Sequence, residues 1–128
     1  MAVAVTHSPK KQIVLVVEDE PMLMLMAIDL VEEAGFEALH AVNADEAVAI
    51  LEKRTDIQLV FTDIDMPGSM DGLKLAAAIR GRWPPIEIII VSGYRSVEPE
   101  DMPARSRFFP KPYNGEQIMD ALREMAAA

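Results

Sequence analysis

Short apolar runs alternate with amphipathic segments along almost the whole chain. Three of the runs are continuous in Val, Ile, Leu or Phe, a pattern typical of strands buried on both faces of a parallel sheet. The runs predict strands over Ile13–Val17, Glu37–Ala41, Ile57–Thr62, Ile86–Val91 and Arg107–Phe109. The segments between them predict helices over Pro21–Ala34, Ala44–Arg54, Asp71–Arg82 and Gly115–Ala126.

The order of these elements predicts the fold class. Strands and helices alternate, which favours an α/β fold with a doubly wound, five-stranded parallel sheet and right-handed crossovers. Local signals agree, because Gly35 suits a helix C-terminus whereas Asn43 and Asn114 suit N-caps. The fourth helix is the exception. Pro99 and Pro103 interrupt the segment after the fourth strand, so we expect a short or irregular turn there.

Composition and charge limit the classes of function. The chain has 128 residues, so we expect one domain. Of these residues 12 are basic and 21 acidic, which gives a net charge of −9, so we expect that the domain does not bind nucleic acid. The absence of cysteine excludes disulfides and thiolate metal sites. We find no signal peptide and no apolar stretch of membrane-spanning length, and expect a cytoplasmic protein without membrane contact. We assign residues 1–11 to a flexible tail and residues 12–126 to the domain.

Polar side chains follow four of the predicted strands at the points where the strands end. Glu18 and Asp19 follow the first strand, Asp63 the third, Ser92 the fourth and Lys111 the fifth. Each alone is explained by a helix N-terminus, a turn or a solvated surface. Because the carboxyl ends of parallel strands share one edge, where open α/β sheets hold their ligands, the set predicts a single site. Three acids and one lysine suit a divalent cation and a phosphoryl group.

Asp63 is the candidate nucleophile of this site. A carboxylate can attack phosphorus and form an aspartyl phosphate when a metal and a cationic side chain stabilise the transferred charge. Lys111, held between Pro110 and Pro112, can supply that cation. Ser92 can donate a hydrogen bond to a phosphoryl oxygen.

The ordered set resembles the response-regulator receiver domain of two-component signalling over about residues 12–126. The residues that carry the resemblance are Val17-Glu18-Asp19-Glu20, Thr62-Asp63-Ile64-Asp65-Met66-Pro67, Met70-Asp71-Gly72, Val91-Ser92-Gly93 and Lys111-Pro112-Tyr113. The family implies a flavodoxin-like (βα)5 fold. It also implies a signalling switch rather than an enzyme with its own substrate, in which a phosphohistidine transfers its phosphoryl group to this chain and partner binding changes.

The resemblance implies a metal site around the phosphoacceptor, which is Asp63. Asp19 and Asp63 bind Mg²⁺, or Mn²⁺ in its place, together with the main-chain carbonyl of Asp65. Glu18 lines the acidic pocket and reaches the ion directly or through water.

The resemblance also implies roles for the remaining site residues. Ser92 and Lys111 bind the phosphoryl group, and Ser92 acts with Phe108 as the conformational switch. The chain would catalyse its own phosphorylation and slow dephosphorylation. We expect Asp65 and Tyr94, which flank the path of the attacking water, to tune the lifetime of the phosphoryl group.

The implied phosphoryl donor is a histidine kinase or a histidine phosphotransfer protein. No output domain follows within this sequence, so we expect a stand-alone receiver. A receiver cut from a longer hybrid kinase is the other interpretation.

The first predicted helix is apolar on all sides, whereas a surface helix normally has a polar face. Helical spacing assigns four residues to the sheet: Leu23, Met26, Ala27 and Leu30. Met24, Leu25 and Ile28 would then point to solvent, where they either pack under a neighbouring element or form a docking patch. As a docking patch they would contact a kinase or phosphotransfer bundle, or a second copy of this chain.

Two alternative functions are open. The segment 60–65 matches the Asp-x-Asp signature of haloacid-dehalogenase-type phosphatases, with Asp63 as nucleophile and Asp65 as general acid. In those enzymes the signature follows the first strand, whereas here it follows the third. A pseudo-receiver that binds partners without phosphorylation is the other alternative, and the complete set of acids, serine and lysine argues against it.

Overall fold

The computed structural model describes residues 11–94 and 96–127, which form one parallel sheet in the order β2-β1-β3-β4-β5. The strands are β1 (Ile13–Val17), β2 (Glu37–Ala41), β3 (Ile57–Asp63), β4 (Glu87–Ser92) and β5 (Ser106–Pro110). The helices are α1 (Pro21–Glu33), α2 (Ala44–Lys53), α3 (Gly72–Arg82) and α4 (Gly115–Ala127). The predicted doubly wound α/β fold is confirmed, and each predicted element ends within one residue of the observed one.

The sheet separates two hydrophobic cores. Successive side chains of a strand point to opposite faces. Leu15 and Val17 therefore join the core under α2 and α3, whereas Val14 and Val16 join the core under α1 and α4. Burying each such side chain stabilises the fold by roughly 1.5–3 kcal/mol. Since β1 lies between β2 and β3 and is covered on both faces, every position in it has to be apolar.

Capping residues lie at the helix termini where the sequence predicted them. The side-chain oxygen of Asn43 accepts from the Glu46 N–H at 2.8 Å, and that of Asn114 accepts from the Glu116 N–H at 2.9 Å. Gly35 follows α1 with φ of +102°, a left-handed conformation that favours glycine. These caps fix the starts of α2 and α4 and the end of α1.

Between β4 and β5 the described chain forms only a short 3₁₀ turn, Pro99–Asp101, so the expected short or irregular turn in this segment is confirmed. Arg80, near the end of α3, binds the backbone of the loop before β5 and of the segment just after α3. Its guanidinium donates to the carbonyl oxygens of Ala104 at 2.7 Å, Pro84 at 2.8 Å and Arg105 at 3.3 Å. A planar guanidinium with five N–H donors can satisfy several backbone acceptors at once. The sequence pattern did not indicate this role.

The rotation of α1 differs from the prediction. Met24, Ala27 and Val31 are its buried residues, and Met24 is only 7% exposed. The predicted exposure of Met24 is therefore wrong, as is the predicted burial of Met26, which is 59% exposed. The reason is that a helix with apolar residues all round offers several stripes of suitable spacing. The pattern then predicts the helix but not which side faces the sheet.

The apolar surface that α1 exposes consists of Met22, Leu25 and Met26, which we call the α1 patch. Met22 is 66% exposed, and Leu25 and Met26 are 59% exposed each. The predicted exposure of Leu25 is confirmed. Ile28 is half-buried and packs against the core under α1 and α4, so it contributes less to the surface than expected.

Candidate functional site

Three acidic side chains meet at the carboxyl edge of the sheet. β1 and β3 are hydrogen-bonded neighbours with Val17 opposite Thr62, so the next residues, Glu18 and Asp63, lie side by side. One carboxylate oxygen from each of Glu18, Asp19 and Asp63 lies within 4.8 Å of the other two. Glu18 and Asp63 are buried, whereas Asp19 is exposed. The cluster therefore has two fixed oxygen donors inside and one at the surface.

Lys111 bridges the two buried acids. Its ammonium lies 3.1 Å from Asp63 Oδ2 and 3.3 Å from Glu18 Oε1. The position of the side chain is set by the backbone, because the Lys111 N–H donates to the Ser92 carbonyl at 2.9 Å. The lysine predicted to hold phosphoryl oxygens thus lies beside the candidate nucleophile.

Burial and charge shift the pKa values of all three groups. Burial raises the pKa of the Asp63 carboxyl above its ordinary value, and the attraction of Lys111 does not cancel this effect. Burial likewise raises the pKa of Glu18. For Lys111, burial alone would lower the pKa, but the combined attraction of Asp63 and Glu18 raises it. Ionising the buried carboxylates of Asp63 and Glu18 therefore costs free energy, which a bound cation would offset.

Glu20 caps the N-terminus of α1, which begins at Pro21, instead of joining the cluster. Its carboxylate accepts from the N–H groups of Met22 at 3.3 Å and Leu23 at 2.9 Å. Its own N–H donates to Glu18 Oε2 at 3.1 Å. The third acid of the run is a helix cap that also orients Glu18.

Helix α3 begins directly behind Asp63. The Gly72 N–H donates to the Ile64 carbonyl at 3.0 Å, and the Asp71 side chain caps the helix through the Lys74 N–H at 2.9 Å. The loop after β3 is thereby folded back onto the strand end. Its geometry fixes the backbone of the candidate nucleophile.

Ser92 and Asp65 are hydrogen-bonded to each other across the site. The Ser92 hydroxyl donates to Asp65 Oδ2 at 2.7 Å, and its oxygen accepts from the Tyr94 N–H at 3.2 Å. The Asp65 N–H in turn donates to Asp63 Oδ1 at 3.3 Å. Ser92 lies at the site as predicted, but the contact between its hydroxyl and a carboxylate was not foreseen.

The remaining predicted residues lie around the site. Tyr94 is 89% exposed beside it. Phe108 is half-buried on β5 opposite Ile90 and packs against the core under α2 and α3. Phe108 therefore lies on an edge strand of the sheet and contacts the core on the face opposite α1.

An apolar cavity of about 310 Å³ adjoins Asp63 and Lys111 between α1 and the loop after β5. Tyr113 lines it and meets the ring of Phe61 edge-on, with centroids 5.8 Å apart. Burial raises the pKa of the Tyr113 phenol. In the sequence, Tyr113 stands out only as part of the motif Lys111-Pro112-Tyr113. The one signal in the sequence that could have identified Tyr113 was its position two residues after Lys111.

The donor set fits a hard divalent cation. It offers carboxylate oxygens only, which suit Mg²⁺ and not a thiophilic metal. The charges of Glu18, Asp19 and Asp63 exceed the single charge of Lys111, so a further cation would relieve repulsion among the acids.

Comparisons of the sequence and of the fold with known proteins agree with each other. A model of the response regulator receiver domain matches residues 14–123. The nitrogen assimilation regulatory protein NtrX of Azorhizobium caulinodans is 30% identical over 110 residues, which cover 83% of this chain and 24% of that protein. The hydrogenase transcriptional regulatory protein HoxA of Cupriavidus necator is 32% identical over 127 residues, covering 94% of this chain and 25% of that protein. The chain thus spans about a quarter of the length of these curated relatives.

Solved structures of the same kind of protein share the fold of this chain. A response regulator receiver protein from Sinorhizobium medicae superposes with a TM-score of 0.86 at 25% identity, covering 94% of this chain and 98% of that one. Within the described residues, none of the helices has the length and apolar character needed to cross a membrane. These comparisons favour neither the phosphatase nor the pseudo-receiver. Because the family model covers most of the chain, the protein belongs to the response regulator receiver domain family of two-component signalling.

Proposed function

We propose that Asp63 accepts a phosphoryl group from a phosphohistidine and that this modification switches partner binding. Receiver domains of response regulators are phosphorylated by histidine kinases, and membership of this family supports the same role for this chain. The observation that carries the assignment to Asp63 is its position: a buried carboxylate at a strand end, 3.1 Å from the Lys111 ammonium and clustered with Glu18 and Asp19.

Asp19, Asp63 and the main-chain carbonyl of Asp65 would hold Mg²⁺ or Mn²⁺, with Glu18 a direct ligand or a partner through water. The close approach of the three carboxylate oxygens supports this assignment. When bound, the ion neutralises charge on the transferring group. The protein residues then have to position the phosphorus atom and stabilise the remaining oxygens.

The transfer itself requires one bond to form and one to break. A carboxylate oxygen of Asp63 attacks phosphorus in line with the P–N bond of the phosphohistidine, and the electron pair of that bond stays on the imidazole nitrogen. Lys111 stabilises charge on the phosphoryl oxygens. Ser92 donates to one of these oxygens, and the movement of the β4 end lets Phe108 turn inward. Water attack on the same acyl phosphate later returns the free carboxylate, with Asp65 and Tyr94 governing access.

The donor would dock on α1. The α1 patch begins at the same sheet edge as Asp63, and Met26 also lines the cavity beside Lys111. A groove next to the patch is lined by the acids Asp29, Glu33 and Glu116. A helical bundle that presents apolar and basic side chains complements this surface, and a second copy of the acidic chain complements it less well.

Labelling with acetyl phosphate and Mg²⁺ tests the proposal without any partner protein. Intact-mass measurement should show one added phosphoryl group on the wild type and none on Asp63→Asn. Asp29→Asn, an exposed acid on α1, is the matched control and should label normally. Full labelling of Asp63→Asn, or none of the wild type, would refute the assignment.

A further inference from the structure

We propose that the carboxylate of Asp65 is a latch that keeps the Ser92 hydroxyl away from the phosphoryl site until Asp63 is modified. The inference rests on the proposed function of Asp63 and adds a regulatory role to a neighbouring residue. It makes the phosphoryl group and Asp65 competitors for one hydroxyl proton.

The Ser92 hydroxyl is already engaged in a hydrogen bond. Its hydroxyl donates to Asp65 Oδ2 at 2.7 Å, and the side chain is buried. A serine hydroxyl has a single proton to donate. Ser92 therefore has to give up the bond to Asp65 before it can donate to a phosphoryl oxygen on Asp63.

Asp65 is also linked to Asp63. The Asp65 N–H donates to Asp63 Oδ1 at 3.3 Å, so the same residue holds Asp63 with its backbone and Ser92 with its side chain. The Asp63 side chain thus lies next to the Asp65 carboxylate, which carries the same charge. A phosphoryl dianion on Asp63 would repel that carboxylate. Modification of Asp63 thus both weakens the latch and offers Ser92 a new acceptor.

Ser92 is also linked to the backbone at Tyr94 and at Lys111. The oxygen of Ser92 accepts from the Tyr94 N–H at 3.2 Å, and the Ser92 carbonyl accepts from the Lys111 N–H at 2.9 Å. A shift of Ser92 toward Asp63 therefore loosens the backbone at Tyr94 and acts on the segment that carries Lys111. The latch connects occupancy of the site to the exposed loop after β4.

A double-mutant cycle separates the latch from plain charge repulsion. Beryllofluoride, which forms an adduct with an aspartate carboxylate in place of a phosphoryl group, is titrated by calorimetry at saturating Mg²⁺. Asp65→Ala should bind it about tenfold more tightly than the wild type, because a hydrogen bond to a charged acceptor no longer has to be broken. In the Ser92→Ala background the same change should tighten binding clearly less, because only the relief of charge repulsion between Asp65 and the adduct remains. Ser92→Thr keeps the hydroxyl, so Asp65→Ala should tighten binding there as well.

The outcomes distinguish the latch from the function on which it rests. A wild type that never binds beryllofluoride would overturn the assignment of Asp63 and the latch together. Normal binding by the wild type with no tightening in Asp65→Ala would overturn the latch alone. The latch would also be overturned if Asp65→Ala tightened binding equally in the wild-type and Ser92→Ala backgrounds. The same holds if Asp65→Ala did not tighten binding in the Ser92→Thr background.

A second measurement needs no affinity difference. The Tyr94 amide resonance of ¹⁵N-labelled protein should move in the same direction when Asp65 is replaced by Ala and when beryllofluoride is added to the wild type. The indole N–H of Trp83, beyond the far end of α3, serves as the control and should stay in place. Movements of Tyr94 in unrelated directions would contradict the latch.

Discussion

A β-carbon placed on Gly72 would lie 2.1 Å from the carbonyl oxygen of Asp63. It would also lie 2.8 Å from the Cα of Ile64, so the first turn of α3 is in backbone contact with the end of β3. No side-chain rotation can relieve a contact between two backbones. The absence of a side chain at Gly72 therefore allows the helix to support the candidate phosphoacceptor from behind.

We expect Gly72→Ala to destabilise the protein by about 1–3 kcal/mol, the usual cost of forcing extra atoms into a packed site. Urea unfolding measures the change. Gly81→Ala in the same helix is the matched control, because a β-carbon there meets nothing within 4 Å. That control should stabilise the fold by about 0.5–1 kcal/mol through helix propensity. Equal stability of the Gly72 variant and the wild type would mean that the close approach is not a constraint.

Asp63→Asn should stabilise the metal-free protein at neutral pH. The folded-state pKa of Asp63 is raised above its ordinary value of 3.8, so the folded state holds the proton more tightly than the unfolded chain. The associated stability is present below pH 3.8 and is lost as the pH rises through the folded-state pKa. Asparagine cannot ionise and avoids that loss.

Thermal melts in chelator test the prediction. The gain in melting temperature should shrink as the pH falls toward 3.8. Asp29→Asn, an exposed acid for which no such gain is expected, provides the comparison. A lower melting temperature for Asp63→Asn at neutral pH would show that the ion pair with Lys111 outweighs burial.

Mg²⁺ should raise the melting temperature of the wild type, because a ligand that binds only the folded state adds stability by mass action. Asp19→Asn should weaken the apparent affinity for the ion, since it removes the exposed donor of the cluster and leaves the two buried acids in place. A magnesium titration followed by melting temperature gives both values. An unchanged affinity in Asp19→Asn would remove this residue from the metal site.

The fold could be predicted from the sequence because burial dictates it. β1 and β4 lie inside the sheet, with helices on both faces, so their sequences are continuous apolar runs whose ends are easy to locate. The acids and the lysine follow such runs directly. Parallel strands bring their carboxyl ends to one edge, which is why Asp63 and Lys111 could be placed together without coordinates.

What could not be predicted depends on rotation and on individual hydrogen bonds. The sheet-facing side of α1 was mistaken, because its apolar residues allow more than one stripe and Met24 and Met26 exchange places. The bond from Ser92 to Asp65 depends on side-chain rotamers, which periodicity does not report. Arg80 was missed for a similar reason, since its acceptors are backbone carbonyls in a loop without a sequence pattern.

We expect Arg80→Leu to cost about 1–3 kcal/mol, because it leaves backbone carbonyls of the loop before β5 without their donor. Hydrogen exchange should show the loss of protection concentrated near Arg105 and at the start of β5. Arg82→Leu in the same helix removes an exposed ion pair with Glu52 and should cost less than about 1 kcal/mol. Equal effects of the two substitutions would deny Arg80 a special role.

The α1 patch is the surface on which we expect the phosphoryl donor to dock. Leu25 is 59% exposed in the middle of the patch, and its replacement by arginine places a charge on an apolar, acid-flanked surface without touching the core. If a donor bundle docks there, Leu25→Arg should slow phosphotransfer from a histidine kinase that labels the wild type by about tenfold or more, as expected for an apolar residue at the centre of an interface. Labelling by acetyl phosphate and the melting temperature should stay nearly unchanged. Val42→Arg, which alters another exposed apolar residue outside α1, should leave both labelling routes intact. A parallel fall of both routes in Leu25→Arg would place the residue in the fold and not in an interface, and normal phosphotransfer from the kinase would exclude the α1 patch from docking.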